Sequence, residues 1–152
     1  MTYVRATILG GTTAMAAAMT LWSSPVAAQT RTFATRLSVV PLTIAMQETV
    51  AGRGTVTATL TGNTLALEGT FDGLRSPATA ARLHIGPRAI RGPAFADLTV
   101  SRATSGTFKG TVMLTGPQRE ALEKMSLYVQ INSEKAPEGN LWGWLFPQEV
   151  KR

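Results

Sequence analysis

The stretch ATAARLHIGP, residues 78–87, contains the only histidine of the chain, His84. An imidazole binds a metal ion through one nitrogen, or takes up a proton as a general base. Arg82 lies two residues earlier, so on a β-strand both side chains would share one face. The serines lack a nucleophile-elbow motif, and phosphate-binding glycine loops are missing. We therefore expect no enzymatic activity.

The loop GPRAIRGP, residues 86–93, follows His84 directly and carries Arg88 and Arg91 between glycines and prolines. Under one interpretation, a rigid loop presents two cations to a carboxylate, sulfate or phosphate group of a partner. Under the other, the loop is a solvated turn, since arginines are common on surfaces. The sequence leaves both open.

Short segments of alternating apolar and polar residues must position these side chains. In GTVTATL, residues 54–60, the apolar side chains fall on every second position, and TGN at 61–63 supplies a turn into TLALEGTF. The same alternation recurs in TFKGTVMLT and LYVQINS. The pattern predicts an all-β, antiparallel fold.

One short helix interrupts the strands, at TGPQREALEKM, residues 115–125. Thr115 is suited to cap its N-terminus, with Gln118 three residues later completing a capping box. Leu122 and Met125 are expected to form its small apolar stripe.

The N-terminus has the composition of a secretory signal. Arg5 supplies positive charge, residues 8–21 are largely apolar, and SSPVAA ends in small residues suited to cleavage after Ala28. We expect a signal peptide at 1–28 and a single domain at 29–152, secreted to the periplasm, with no transmembrane anchor after cleavage.

The chain has no cysteine, which excludes disulfides and thiolate metal sites. Its formal net charge is +6, and the charges are scattered. A basic surface suits an anionic partner such as an anionic glycan, but specifies none. We expect no nucleic-acid binding, because neither a clustered basic patch nor a known module is present.

Three blocks in fixed order carry a family resemblance: LEGTFDGLRSPATAARLHIGP, GTVMLTGPQREAL and LYVQINSEKAPEGNLWGWLFP. Together they resemble the CHRD domain, the module named after chordin. The resemblance implies an immunoglobulin-like or superoxide-dismutase-like β-sandwich, and implies little about activity.

The resemblance also bears on metal binding, since the family pattern usually has further histidines at the positions of Arg82 and Asn132. With His84, such residues would form a three-nitrogen copper or zinc site. An arginine repels a divalent ion, and an asparagine oxygen is a poor ligand for these metals. We therefore expect no metal and no cofactor.

If the strands that carry His84, Asn132 and the two tryptophans are neighbours, strand parity places several polar and aromatic side chains on one outer face. Its members are Arg82, His84, Tyr128, Gln130, Asn132, Trp142 and Trp144. One interpretation is an open aromatic and polar patch on which arginine stacks over tryptophan and a partner binds. The alternative is that a loop or the N-terminal lead-in buries the tryptophans.

These observations favour an exported, non-enzymatic binding or accessory module of the cell envelope, with an envelope or extracellular protein or an anionic glycan as its partner. The alternative is a divergent copper- or zinc-binding metalloprotein of superoxide-dismutase-like fold, with His84 as ligand. A structural envelope protein without a discrete ligand is the third hypothesis.

Overall fold

The computed structural model describes residues 27–149. The predicted signal peptide lies outside this range except for its last two residues. Within the range, no helix has the length and apolarity that crossing a membrane requires. The elements are β1 (Thr30–Val39), a 3-10 turn (Ile44–Met46), β2 (Arg53–Thr61), β3 (Thr64–Asp72), β4 (Ala78–Ile85), β5 (Ala94–Val100), β6 (Gly106–Met113), α1 (Gly116–Glu123), β7 (Leu127–Ser133), β8 (Ala136–Trp144) and β9 (Phe146–Pro147).

The β2–β3 hairpin shows how alternation sets the faces. The two strands pair in register from Arg53 opposite Asp72 to Thr61 opposite Thr64. Gly62 starts the turn at a φ of +61°, in the left-handed region that glycine enters without steric cost. The predicted apolar positions of both strands are buried, and the threonines between those of β2 point outward. The predicted hairpin is confirmed.

The strand pairings form a closed ring of eight antiparallel strands, with β9 as a short extension beside β1. Two strands change partners along their length and thereby close both edges. β1 pairs with β2 as far as Leu37 and with β8 from Ser38 onward. β5 pairs with β4 as far as Leu98 and with β6 from Thr99 onward. The predicted all-β antiparallel class is confirmed, and the sheet closes into a barrel instead of leaving the free edges of a sandwich.

Helix α1 begins with the predicted capping box. Thr115 Oγ1 accepts from the Gln118 N–H, and the Gln118 side chain accepts from the Thr115 N–H. Leu122 is fully buried in the barrel core. The expectation for Met125 is wrong: the helix ends at Glu123, and Met125 follows with a φ of +55° and an exposed side chain.

A second apolar cluster lies outside the barrel, on the outer face of β7 and β8. It contains Val40, Val50, Tyr128, Ala136, Trp142 and Trp144. Val40 and Val50 come from the connection between β1 and β2, which folds back over this face. Both faces of β7 and β8 are therefore buried, and the outer one carries the candidate site.

Candidate functional site: a covered aromatic face beside an arginine cleft

Strands β4, β7 and β8 are neighbours, which was the condition for the predicted residues to share one face. Arg82 lies opposite Gln130, which lies opposite Trp142. His84 lies opposite Tyr128, which lies opposite Trp144. Asn132 is one pair further along, opposite Ala80. The predicted residues therefore do lie on one outer face, which we call the aromatic face.

The aromatic face is not open to solvent. Tyr128 is completely buried, and Gln130, Trp142 and Trp144 are 5%, 8% and 6% exposed. The interpretation of an open patch is wrong, and burial under a covering segment is confirmed. Strand parity located the face correctly but says nothing about what packs on it, and large aromatic surfaces left in water are unfavourable.

Loop 86–93 also lies against the aromatic face, to which it is bonded at Gly92. The Gly92 N–H donates to Tyr128 Oη at 2.9 Å, and the same hydroxyl donates back to the Gly92 carbonyl at 3.2 Å. His84 Nδ1 also bonds this carbonyl, at 2.9 Å. A Cβ at Gly92 would lie only 1.8 Å from the Ile85 carbonyl oxygen, so the close approach requires glycine.

The start of the loop is anchored by Trp144. Its indole Nε1–H donates to the Gly86 carbonyl at 3.0 Å, and the Gly86 N–H donates to the Ser126 carbonyl at 2.9 Å. Both ends of the loop are thus hydrogen-bonded: Gly92 is bonded to β7, and Gly86 is bonded to β8 and to the turn before β7. This anchoring makes the loop a rigid platform for its arginines.

An arginine does lie over a tryptophan, but it comes from the loop. Arg91 Cζ is 5.8 Å from the Trp142 ring centroid, and its guanidinium donates to the Glu138 carbonyl. Arg82, which strand parity placed beside the tryptophan, pairs instead with Asp97 at 2.8 Å. The arginine of the predicted face therefore does not stack on a tryptophan, because its neighbour on β5 supplies a carboxylate.

His84 is held in one tautomer. A carbonyl oxygen only accepts, so Nδ1 carries the proton that bonds Gly92, and Nε2 presents a lone pair. Nε2 is buried and has no partner within residues 27–149. Burial lowers the pKa of His84, opposed by the bond to Gly92 and reinforced by the charges of Arg82 and Arg91. The imidazole is therefore neutral near pH 7.

The residues around His84 do not fit a copper or zinc ion. Arg82 brings a positive charge, and Asn132 Oδ1 already accepts a bond from Gln130 Nε2 at 2.9 Å. Among the residues that the structure describes, no three His, Cys, Asp or Glu side chains are grouped to hold a metal. A typical site needs three or four such ligands.

Beyond the aromatic face, a cleft of about 250 Å³ lies between β1 and the end of β8. We call it the arginine cleft, and its main lining residues are Arg36, Arg88, Trp142, Trp144 and Phe146. The register of β1 against β8 and β9 is continuous on both sides of this cleft, from Ser38 opposite Trp142 to Ala34 opposite Phe146. The three positions between carry no strand pairing, although the two backbones stay close there, since a Cβ at Gly143 would lie 2.8 Å from the Arg36 carbonyl oxygen.

The two arginines of this cleft have no carboxylate partner among residues 27–149. Arg88 Cζ lies 5.0 Å from the Phe146 ring centroid, and both arginines are exposed. Arg88 belongs to the predicted anion-binding loop, whereas Arg36 was not predicted, because its segment was interpreted as a polar lead-in. The spacing of Phe33 and Leu37, both buried, was the available signal, since it places Arg36 outward.

Fold and site together define a cysteine-free antiparallel β-barrel with a covered aromatic face and a cationic cleft. A family model, the CHRD domain, matches residues 33–145. The chain belongs to the CHRD domain family, whose function is uncertain. Comparisons with curated proteins and with solved structures found no match.

Proposed function

We propose that this protein is an exported, non-enzymatic binding or accessory module of the cell envelope, acting in the periplasm, whose partner carries anionic groups. Support for export comes from the signal-like composition of residues 1–28. We also propose that the barrel is a closed variant of the immunoglobulin-like or superoxide-dismutase-like sandwich.

The observation that carries the binding role is that two arginines lie on a loop whose ends are hydrogen-bonded to the barrel. Arg88 and Arg91 are held by a loop whose backbone is bonded at Gly86 and Gly92. A preorganised guanidinium loses little conformational entropy when it binds an anion, and its planar fork matches carboxylate and sulfate groups. An anionic glycan is the partner that we favour.

The test compares retention of the protein by dextran sulfate and by neutral dextran in affinity electrophoresis. Each lost charge-assisted contact should weaken retention by dextran sulfate about tenfold. The double variant Arg88→Gln/Arg91→Gln is therefore expected to weaken it at least tenfold, even if only one of the two arginines makes such a contact. The control is Arg75→Gln/Arg102→Gln, which removes the same charge from exposed arginines elsewhere. Equal retention of the two double variants would show that the loop is not the binding site.

Export has its own test. Intact-mass measurement of the protein recovered from a periplasmic fraction should give a chain beginning at Gln29. Recovery of the uncleaved chain from the cytoplasm alone would contradict export.

The alternative, a divergent copper or zinc protein, is favoured by a single observation. His84 donates from Nδ1 to a backbone carbonyl, and its Nε2 lone pair has no partner among residues 27–149, which is the arrangement of a metal-ligating histidine. Titration of the protein with Cu²⁺ and Zn²⁺ separates the two hypotheses. Stoichiometric tight binding that His84→Ala abolishes would establish the alternative.

A further inference from the structure

Two openings flank β1 at the point where it changes partners. On one side is the arginine cleft. On the other, the pairing of β1 with β2 ends at Leu37 opposite Gly54, while the pairing of β2 with β3 continues one residue further. A crevice of about 580 Å³ opens there, and Arg36 and Ser38 line both openings.

This second opening, which we call the β1 crevice, is predominantly apolar. Leu37, Val39 and Phe71 line it together with the backbone of Gly52 and Gly54. Gly54 is required by packing, because a Cβ there would lie 2.4 Å from the Thr70 carbonyl oxygen. Its volume is within the range of pockets that hold small organic ligands.

The charges at the rim favour an anion on the side of the arginine cleft. Arg53, also at the rim of the β1 crevice, pairs with Asp72 at 3.7 Å. Arg36 has no such partner among the described residues, and neither has Arg88 across the cleft. The volume of the arginine cleft corresponds to roughly eight waters at about 30 Å³ each, enough for one small charged group.

We propose that the arginine cleft and the β1 crevice together bind an amphiphilic organic anion. Its carboxylate or sulfate group lies between Arg36 and Arg88, and its apolar chain lies in the β1 crevice against Val39. Arg88 is shared with the proposed function, but the ligand is of another class than the anionic glycan proposed there, so this inference goes beyond the proposed function. Arg36 and Ser38 line both openings, so the proposed anion crosses β1 at these two residues.

The test measures tryptophan fluorescence while fatty-acid anions are titrated into the full chain. A Trp22→Phe background leaves Trp142 and Trp144, which both line the arginine cleft, as the only tryptophans. The probes are acetate, hexanoate and decanoate, with decan-1-ol as the uncharged chain. Affinity is expected to rise from acetate to decanoate by up to about fourfold per methylene that is buried.

Three variants assign the binding to this site. Arg36→Gln should weaken decanoate binding about tenfold by removing a charge-assisted contact. Arg75→Gln, which removes an exposed arginine elsewhere, should leave it unchanged. Val39→Thr keeps the side-chain shape but adds a hydroxyl, so it should reduce the gain in affinity with chain length. Urea midpoints of the variants establish that each is folded.

Several results would overturn the inference: equal affinity for acetate and decanoate, equal affinity for decanoate and decan-1-ol, or equal binding by Arg36→Gln and Arg75→Gln. A stable dimer in sedimentation velocity that binds no decanoate would assign the crevice to a second copy and also overturn it. Retention by dextran sulfate that still depends on Arg88 and Arg91 would, in those cases, leave the proposed function standing.

Discussion

The hydroxyl of Tyr128 provides the sharpest test of how the aromatic face is covered. Tyr128→Phe keeps the ring, whose centroid is 4.5 Å from that of Trp144 and 4.8 Å from that of His84. It removes both hydrogen bonds to Gly92. The Gly92 carbonyl keeps its bond from His84, but the Gly92 N–H loses its partner.

The expected cost is that of one part-buried N–H group left without a partner. Because Tyr128 is fully buried, water has no ready access to replace the hydroxyl. An unsatisfied buried donor costs about 1–3 kcal/mol. We expect the free energy of unfolding to fall by about 2 kcal/mol, which at a urea slope of about 2 kcal/mol/M lowers the midpoint by about 1 M.

The assay is urea denaturation followed by tryptophan fluorescence in the Trp22→Phe background. Thr57→Val is the control, since it removes an exposed hydroxyl on β2 and should change stability by no more than about 0.5 kcal/mol. Amide exchange at Gly92 should also accelerate in Tyr128→Phe. A midpoint shift no larger than that of the control would refute the assignment of Tyr128 as the anchor of loop 86–93.

Three further predictions concern the loop and the helix. Gly92→Ala should destabilise the protein by about 3 kcal/mol or more in urea denaturation, because its Cβ would clash with the Ile85 carbonyl. The pKa of His84 is lowered in the folded state, so the unfolded chain takes up its proton first. The stabilising contribution of the neutral imidazole is complete above about pH 6.5 and is lost as the pH falls below that value. Between about pH 7.5 and 5.5, the urea midpoint of the wild type should therefore fall more than that of His84→Asn. Thr115→Ala should cost about 1 kcal/mol of stability in urea denaturation, by removing the acceptor of the Gln118 N–H.

Each of these predictions has a matched comparison. Gly62→Ala, at a left-handed φ with open space around it, should cost only about 1–2 kcal/mol, so a similar loss at Gly92 would argue against the clash. Parallel pH dependence of the wild type and His84→Asn would show that His84 does not couple to folding. Thr115→Ser should keep most of the cap, and a loss equal to that of alanine would contradict the capping role.

Alternation along the chain determined most of the local structure. It predicted which side chains of β2 and β3 enter the core, and it placed His84, Tyr128 and Trp144 on the outward side of their strands, whereas their alignment in one row depends on the strand register. The capping box of α1 was equally predictable from Thr115 and Gln118. These features depend on residues close in sequence or on strand periodicity, and the amino-acid sequence specifies both directly.

Only the tertiary structure decided what covers that row and where the cleft opens. Gly92 and Tyr128 are 36 residues apart, and their contact depends on the path of the loop, which alternation does not encode. Arg36 on β1 and Arg88 in the loop after β4 meet in the arginine cleft only because the barrel brings both beside the end of β8. Local patterns thus specify the direction of each side chain, whereas packing between distant segments decides whether it meets solvent, a loop or a ligand.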